Sequence, residues 1–198
     1  MSDGLILLAA YLLGSIPFGY LLVKWFKGFD IRTKGSGNIG MTNVWRVAGA
    51  GWGIATLALD IAKGVLAVWL AIHFDPGNDL LRVACGLAAL VGNVFSVFLK
   101  FKGGKGIGVS TGIFFTLLPL ESSMGLGAFI LTVLLTRMIS AGSLSGVTVM
   151  MIATFYERSL NWYSGLALLA TAAIWWTHRQ NIQRILSGTE NRIGKKKS

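Results

Sequence analysis

Two short segments rich in glycine and lysine carry the residue types best suited to holding phosphate. Residues 34–46 read KGSGNIGMTNVWR, and residues 100–108 read KFKGGKGIG. Glycines let successive backbone N–H groups turn toward one centre, and such a nest holds an anion. A helix that begins near Ile39 would add its dipole, and the second segment leads directly into an apolar stretch. We therefore predict two similar anion-binding loops, each followed by the start of a helix.

The candidate phosphate-binding residues share a flexible backbone, a neutral hydrogen-bond donor or a positive charge. They are Gly35, Gly37, Asn38, Gly40, Thr42 and Asn43 in the first segment, and Lys102, Gly103, Gly104 and Gly106 in the second. The first segment also contains Ser36 as a neutral donor and Arg46, whose planar fork suits phosphate. Farther along the chain, His178 and Asn181 are spaced to share one helix face.

Other kinds of chemistry find little support in the sequence. The G-x-G-x-x-G at residues 35–40 follows an apolar segment rather than a strand, so it does not indicate dinucleotide binding. No H-E-x-x-H motif occurs, and Cys85 is the single cysteine. Near the basic segments the acids are few: Asp30, Asp60 and Glu190. We expect no metal, no cofactor and no pair of carboxylates for acid–base catalysis.

The elements that position these residues are apolar segments. The chain is 54% hydrophobic and 13% charged, whereas a soluble domain carries about 25% charged residues. No charge occurs within residues 5–23, 83–99, 138–156 or 160–177, and a helix that crosses a bilayer needs about 17–25 such residues. The sequence predicts an all-α polytopic membrane protein, a single domain over residues 1–198.

About seven transmembrane helices are expected, some of them short. The first four segments are residues 5–23 with a kink at Pro17, residues 52–74, a third that ends at Lys100, and residues 106–120. They continue with residues 124–136, a sixth from about Met138 and a seventh that ends near Thr177. A turn at residues 119–123 separates the two short segments, which form either two crossings, as we favour, or one re-entrant pair.

The distribution of the basic residues orients the chain. The net charge is +10, and all but three of the 18 lysines and arginines fall on one side of the predicted spans. They are Lys24, Lys27, Arg32, Lys34, Arg46, Lys100, Lys102, Lys105, Arg137, Arg179, Arg184, Arg192 and Lys195, Lys196 and Lys197. Positive residues mark the cytoplasmic side, so the N-terminus is periplasmic and the C-terminus cytoplasmic. Residues 181–186 suit a helix lying in the interface.

One charged pair lies inside a predicted span. Asp60 and Lys63 are one helical turn apart within residues 52–74. Ionisable residues inside a membrane usually mark functional sites, but an ion pair three residues apart in a helix also has a structural role. The sequence leaves both interpretations open.

Three blocks together resemble the bacterial acyl-phosphate:glycerol-3-phosphate acyltransferase family. They are SGNIGxTNxxR at residues 36–46, VFLxFKGGKG at residues 97–106, and HRxNIxRxLxGxE at residues 178–190. The GSIPFG at residues 14–19 and the Asp60-x-x-Lys63-Gly64 run also fit, so the resemblance covers nearly the whole chain. One departure is Asn93, where the family often has histidine, and a histidine role there is not carried over.

The resemblance implies that a fatty acyl group moves from acyl phosphate to the 1-hydroxyl of glycerol 3-phosphate, giving lysophosphatidate and phosphate. The expected polar contacts of the reacting groups are Ser36, Arg46, Lys105, Ser143, His178 and Asn181. The expected partners are these two small molecules and the lipid bilayer of the inner membrane, without nucleic acid, and the site lies at the cytoplasmic face.

Two other functions fit the sequence less well than acyl transfer. An organophosphate or anion transporter would place its site at the midplane between repeated halves, whereas here the polar residues crowd one interface. A headgroup enzyme that uses Mg²⁺ would need a cluster of aspartates on the basic side, which the sequence lacks.

Overall fold

The described part of the chain, residues 2–194 of the computed structural model, is helical and contains no strand. The α-helices are α1 (Asp3–Ser15), α2 (Phe18–Lys27), α3 (Met41–Ala48), α4 (Ala50–Phe74), α5 (Asp79–Val94), α6 (Ile107–Leu117), α7 (Pro119–Thr136), α8 (Ile139–Arg158), α9 (Trp162–Thr177) and α10 (Arg179–Leu186). Short 3-10 turns occupy Ile31–Thr33 and Val97–Leu99. The predicted all-α class is confirmed, while the predicted cytoplasmic cations Lys195, Lys196 and Lys197 lie outside the described residues.

Several helices are long and apolar enough to cross a membrane. Within residues 2–194 these are α4, α5 together with the 3-10 turn after it, α7 and α8, and the bent pair of α1 and α2 would make a fifth. With 11 and 16 residues, α6 and α9 are shorter than the about 17–25 residues of a usual crossing. The polytopic helical class is supported, while the number seven and the orientation of the termini stay predictions.

The first predicted span is two helices whose axes differ by 44°. α1 ends at Ser15 and α2 begins at Phe18, so the kink expected at Pro17 is a full break. Proline has no N–H to continue the helical ladder. At the break, the Ile16 carbonyl accepts from the Phe18 N–H at 3.2 Å and from Lys63 Nζ at 2.9 Å.

The first of two compact units comprises Met1–Leu117, in which α1 packs on α5 and α4 packs on α6. Glycines bring the helix backbones into contact. A Cβ on Gly14 would lie 2.1 Å from the Ala89 carbonyl oxygen, and one on Gly112 would lie 2.1 Å from the Ile61 carbonyl oxygen. Small residues at helix contacts are typical of membrane proteins, because they let the backbones approach closely.

The second compact unit comprises Leu118–Ser198, and α7, α8 and α9 pack in sequence along its described part. A Cβ on Gly125 of α7 would lie 2.7 Å from the Gly146 carbonyl oxygen of α8. Glu121 is 1% exposed, and its Oε1 lies 2.5 Å from Arg158 Nε on α8. The prediction of one domain over residues 1–198 is not tested by this division and stays a prediction.

The predicted turn at residues 119–123 is wrong. Pro119 is the first residue of α7, and Leu118 alone separates α7 from α6. Proline is favoured at a first helical position because its missing N–H would have no helical partner there. With 18 residues, α7 is longer than the predicted segment 124–136 and can cross a bilayer by itself.

The chain after α9 forms a helix, α10, as predicted, while its expected position in the membrane interface stays a prediction. His178 lies between α9 and α10 and caps both. Beyond α10 the chain folds back, and the Ile193 N–H donates to the Arg137 carbonyl at 2.8 Å. The tail is thereby attached to the connection between α7 and α8.

Gly112→Ala should destabilise the protein by about 1–3 kcal/mol, since the added methyl has no room against α4. Gly127→Ala in α7 is the matched control, because nothing lies within 4 Å of its Cβ position, and alanine favours a helix over glycine. Thermal unfolding in detergent measures both variants. Equal stability of the two variants would contradict the close α4–α6 contact.

Candidate active site

The first glycine-rich loop is folded around the side chain of Asn43, which is 2% exposed. Asn43 Oδ1 accepts from the Ser36 N–H at 2.8 Å, and Nδ2 donates to the carbonyls of Asn38 at 2.8 Å and Lys34 at 3.1 Å. Gly35 has φ +63°, and a Cβ there would lie 2.2 Å from Asn43 Oδ1. The amide of Asn43 therefore holds the loop together, which corrects its assignment as a neutral donor to phosphate.

The groups that the first loop presents outward are those around the start of α3. The helix begins at Met41, close to the predicted start near Ile39, and its N-cap Gly40 supplies no side-chain cap. Ser36 and Arg46 are both exposed, and Arg46 lies one turn beyond Thr42 on α3. A helix N-terminus with nearby neutral donors and a guanidinium is an arrangement that favours an anion.

An ion pair lies at the entrance to the first loop. Arg32 Nη2 lies 2.6 Å from Asp30 Oδ2, and the hydrogen bond from Arg32 holds the pKa of Asp30 below its usual value despite some desolvation. The charge of Arg32 is therefore already balanced by Asp30. This agrees with leaving Arg32 out of the candidate site residues.

The second loop does not repeat the first. The Gly103 N–H donates to the Val94 carbonyl and the Gly104 N–H to the Asn93 carbonyl, both at 2.9 Å. These two N–H groups therefore attach the loop to the end of α5, which corrects the expectation that they form an anion nest. Gly106, with φ +87°, turns the chain into α6. Between these points Lys102 is exposed and Lys105 is half-buried.

The two loops contact each other within the first unit. Ile39 of the first loop and Leu99, just before the second loop, belong to one buried apolar cluster with Val23, Ile31 and Val44. A Cβ on Gly104 would lie 3.6 Å from the Ile39 side chain. The structure thus brings the Ser36–Arg46 segment and the Lys105 segment together, as the sequence predicted from their shared basic side.

The intramembrane pair of Asp60 and Lys63 is part of a larger network. Lys63 Nζ lies 2.8 Å from Asp60 Oδ1, 2.9 Å from the Ile16 carbonyl and 2.8 Å from Asn93 Oδ1. The sequence left an ion pair as one of two interpretations and did not indicate the two other acceptors. Asn93 was noted only as a departure from the family pattern, because hydrogen bonds between residues this far apart leave no periodic signal.

The third block belongs to the second unit and is organised by Glu190. Its Oε1 accepts from Ser140 Oγ and from Asn181 Nδ2, both at 2.7 Å, and its Oε2 accepts from Arg184 Nε at 2.7 Å. Burial raises the pKa of Glu190, but the hydrogen bonds from Ser140, Asn181 and Arg184 outweigh it and leave the pKa below its usual value. Glu190 is the last residue of the family block, but nothing in the sequence indicated that it accepts hydrogen bonds from three side chains.

His178 and Ser143, the other predicted site residues of this unit, are both buried. His178 Nδ1 lies 2.8 Å from the Ile174 carbonyl oxygen, and because a carbonyl only accepts, Nδ1 carries a proton. Ser143 lies one turn after Ser140 on α8, and its Oγ donates to the Ile139 carbonyl at 3.0 Å. Among residues 2–194, no three His, Cys, Asp or Glu side chains are grouped as they would be around a metal ion.

Comparisons with known proteins identify the class to which these features belong. The family model described as "Glycerol-3-phosphate acyltransferase" matches residues 4–188. Two proteins with that name, from Myxococcus xanthus and Trichlorobacter lovleyi, are each 43% identical to this chain over 194 and 197 residues. The alignments cover 98% of this chain and 100% and 99% of the two relatives. The chain therefore belongs to the glycerol-3-phosphate acyltransferase family, which confirms the family resemblance.

Two solved structures extend the similarity to the whole fold. Both are crystal structures of PlsY (YgiH), described as an integral membrane glycerol 3-phosphate acyltransferase, in a glycerol 3-phosphate form and a lysophosphatidic acid form. Their TM-scores are 0.93 and 0.90 at 33% and 32% identity, with 98% of this chain and 96% of each relative covered. The helical architecture is thus that of an integral membrane acyltransferase.

Glu190→Gln should flatten the dependence of stability on acid pH. A carboxyl whose pKa is lowered on folding stabilises the protein above its unfolded pKa, and this contribution is lost as the pH falls through the lower, folded value. For Glu190 the loss lies at and below its ordinary value of 4.5. Thermal unfolding between about pH 3 and pH 6 measures it. The exposed Glu157→Gln is the control and should follow the wild type; identical profiles for all three proteins would refute the role of Glu190.

Proposed function

We propose that this chain transfers a fatty acyl group from an acyl phosphate to the 1-hydroxyl of glycerol 3-phosphate, with release of lysophosphatidate and inorganic phosphate. Family membership and the glycerol 3-phosphate and lysophosphatidic acid forms of the solved relatives support the acceptor and the product. The structural observation that carries the proposal is the contact between the two basic loops. Each substrate has one phosphate, and two adjoining cationic loops offer a place for both.

The reaction balances without a covalent enzyme intermediate. The hydroxyl oxygen attacks the acyl carbon, the bond from that carbon to the phosphate oxygen breaks, and inorganic phosphate leaves. Acyl phosphate is a mixed anhydride with a good leaving group, so positioning and charge stabilisation suffice as the main contributions of the protein. We assign these contributions to Ser36, Arg46 and Lys105 of the first unit. The roles expected of Ser143, His178 and Asn181, which belong to the second unit, stay predictions. The backbone of residues 35–40 and Thr42 would support the same phosphates.

We propose that the phosphate of glycerol 3-phosphate accepts the hydroxyl proton. A phosphate monoester has a second pKa of about 6, so its dianion is present at neutral pH on the same small molecule as the attacking hydroxyl. On the protein, His178 Nδ1 is bound to the Ile174 carbonyl. The imidazole of His178 is thereby held against the end of α9, as suits a group that orients the substrate.

The site is proposed to face the cytoplasm from a bacterial inner membrane. The cations Arg46, Lys102 and Lys105 all lie in the connections that the positive-inside rule places there. On this topology the N-terminus is periplasmic, the chain crosses about seven times, and residues 106–136 cross twice or form a re-entrant hairpin. A transporter remains the alternative function, and the assay below separates the two.

Purified protein in detergent should form lysophosphatidate and phosphate from acyl phosphate and glycerol 3-phosphate without added metal. Acyl-CoA should not replace the donor, because the residues assembled in the loops suit phosphate groups and not an adenine or a pantetheine. Mass spectrometry of the product measures the outcome. Loss of activity with EDTA and recovery with Mg²⁺ would contradict the mechanism; transport of an organophosphate into vesicles without product would favour the transporter.

Arg46→Ala and Lys105→Ala should each lower turnover strongly while the protein still folds. Loss of one charged contact to a reacting phosphate costs roughly 2–4 kcal/mol, or about 30- to 1,000-fold. Steady-state rates with both substrates measure the loss. Lys27→Ala, an exposed cation at the end of α2, and Lys195→Ala in the tail are controls that should change little. Similar losses in all four variants would mean that the cations act only as a surface field.

His178→Gln should cost less than the about 10²–10⁴-fold that loss of a general base usually costs. Glutamine keeps hydrogen-bonding groups but cannot take up a proton. The pH profile should follow the substrate instead, so a phosphonate analogue with a higher second pKa should shift the acidic limb upward. A variant that loses this limb, or that is inactive and rescued by free imidazole, would identify His178 as the base.

A further inference from the structure

We propose that Lys63 is a positioning residue of the active site: its ammonium fixes Asn93, and Asn93 holds the glycine-rich loop that carries Lys105. The inference rests on the proposed function, since it gives Lys63 a part in the same reaction. All members of this network belong to the first compact unit.

All three N–H donors of the Lys63 ammonium have an acceptor in the protein. Its side chain is 1% exposed, and its three acceptors are Asp60 Oδ1, the Ile16 carbonyl and Asn93 Oδ1, all within 2.9 Å. A lysine ammonium has three N–H donors, so each donor has an acceptor on a different element: α4, the break between α1 and α2, and α5. An ion pair alone would need only Asp60.

This arrangement fixes which way the Asn93 amide faces. An ammonium has no acceptor, so the amide oxygen of Asn93 must face Lys63 and the amide nitrogen must face away. The nitrogen is the atom nearest to where a Cβ on Gly104 would lie, at 3.3 Å. The side chain of Asn93 thus connects Lys63 on one side with the second loop on the other.

The main chain of the same residue holds the loop directly. The Asn93 carbonyl accepts from the Gly104 N–H, and the Val94 carbonyl accepts from the Gly103 N–H, both at 2.9 Å. A Cβ on Gly103 would lie 2.1 Å from the Asn93 carbonyl oxygen, so the loop lies against the end of α5 without a gap. A displacement of Asn93 therefore displaces Gly104, and Lys105 is the next residue.

The other end of the loop contacts the same ion pair. A Cβ on Gly108, in the first turn of α6, would lie 2.7 Å from Asp60 Cβ. Asn93 lies before the loop and Gly108 after it, so the Asp60–Lys63 pair contacts the chain on both sides of Lys105. Purely structural ion pairs in a span do not require such contacts at both ends of a substrate-binding loop.

Lys63→Met tests the inference, because methionine retains an unbranched apolar chain without the donors. Loss of position by about 1 Å can cost about 100-fold in rate, so we expect a drop of about 10- to 100-fold in kcat/KM. The KM that rises should belong to the same substrate whose KM rises in Lys105→Ala. In the double variant with Lys105→Ala, the loss from Lys63→Met should almost disappear, because its effect passes through Lys105.

Hydrogen–deuterium exchange supplies a readout that does not depend on activity. In Lys63→Met the amides of Gly103 and Gly104 should exchange at least about 10-fold faster, since their acceptors on α5 are no longer fixed. Thr56→Val is the matched control: Thr56 is a fully buried polar residue of the same helix, and its hydroxyl donates to the Trp52 carbonyl within that helix. It should leave exchange in the loop and both KM values unchanged.

Two further variants keep the test decisive if Lys63→Met folds poorly. Asp60→Asn with Lys63→Met leaves no unpaired carboxylate and should show the same kinetic and exchange defects. Asn93→His supplies a ring nitrogen as an acceptor for Lys63, so it should retain most activity, whereas Asn93→Leu should behave like Lys63→Met.

The outcomes separate this inference from the proposed function. Unchanged exchange in the loop, or losses that multiply fully with Lys105→Ala, would overturn the positioning role of Lys63. Faster exchange together with wild-type kinetics would overturn it as part of the reaction, while the separate rate loss in Lys105→Ala would still decide the proposed function. Faster exchange, a shared KM defect and a non-additive double variant would support it.

Discussion

The hydrogen bonding of the buried Lys63 ammonium is the interaction on which the rest of the first unit depends. Inside a bilayer every main-chain polar group and every charge needs a partner within the protein. The break at Pro17 opens the helical ladder, and Lys63 donates to the carbonyl of Ile16 at that break. The same ammonium is paired with Asp60 and bonded to Asn93. One side chain therefore joins a broken helix, an intact span and the end of α5.

Both glycine-rich loops of the first unit are built on an asparagine whose contacts are to the protein itself. Asn43 holds the first loop around its amide. Asn93 holds the second loop through its main-chain carbonyl, while its side chain accepts from Lys63. A carboxamide has donors and acceptors on one rigid plane, so it can bind main-chain groups of both kinds. In the second unit Asn181 donates to Glu190, which again fixes the orientation of an amide.

The sequence predicted the helical class and the family blocks, because these leave periodic or compositional signals. The uncharged runs predicted most helices, and the glycines before Met41 and Ile107 predicted two helix starts. It failed where the outcome depends on distant partners. The amides of Gly103 and Gly104 looked like an anion nest, but carbonyls at the end of α5 accept from them. Proline suits both a turn and the first position of a helix. The sequence around Pro119 therefore did not distinguish the two.

The pairing of the acids supports the proposal that the phosphate of the substrate takes the hydroxyl proton. Asp30, Asp60 and Glu190 are the acids of the basic side and of mid-span, and each is bonded to a cation of its own: Arg32, Lys63 or Arg184. A carboxylate held by a cation is a weak base, and the pKa values of Asp30 and Glu190 lie below their usual values. Neither of these two is suited to take a proton from a hydroxyl. The same pairing leaves the charges of Arg46 and Lys102 unmatched by these acids. A phosphate dianion attracted by such cations would bring its own basic oxygen into the site. The phosphate group through which the substrate is bound would then also be the base.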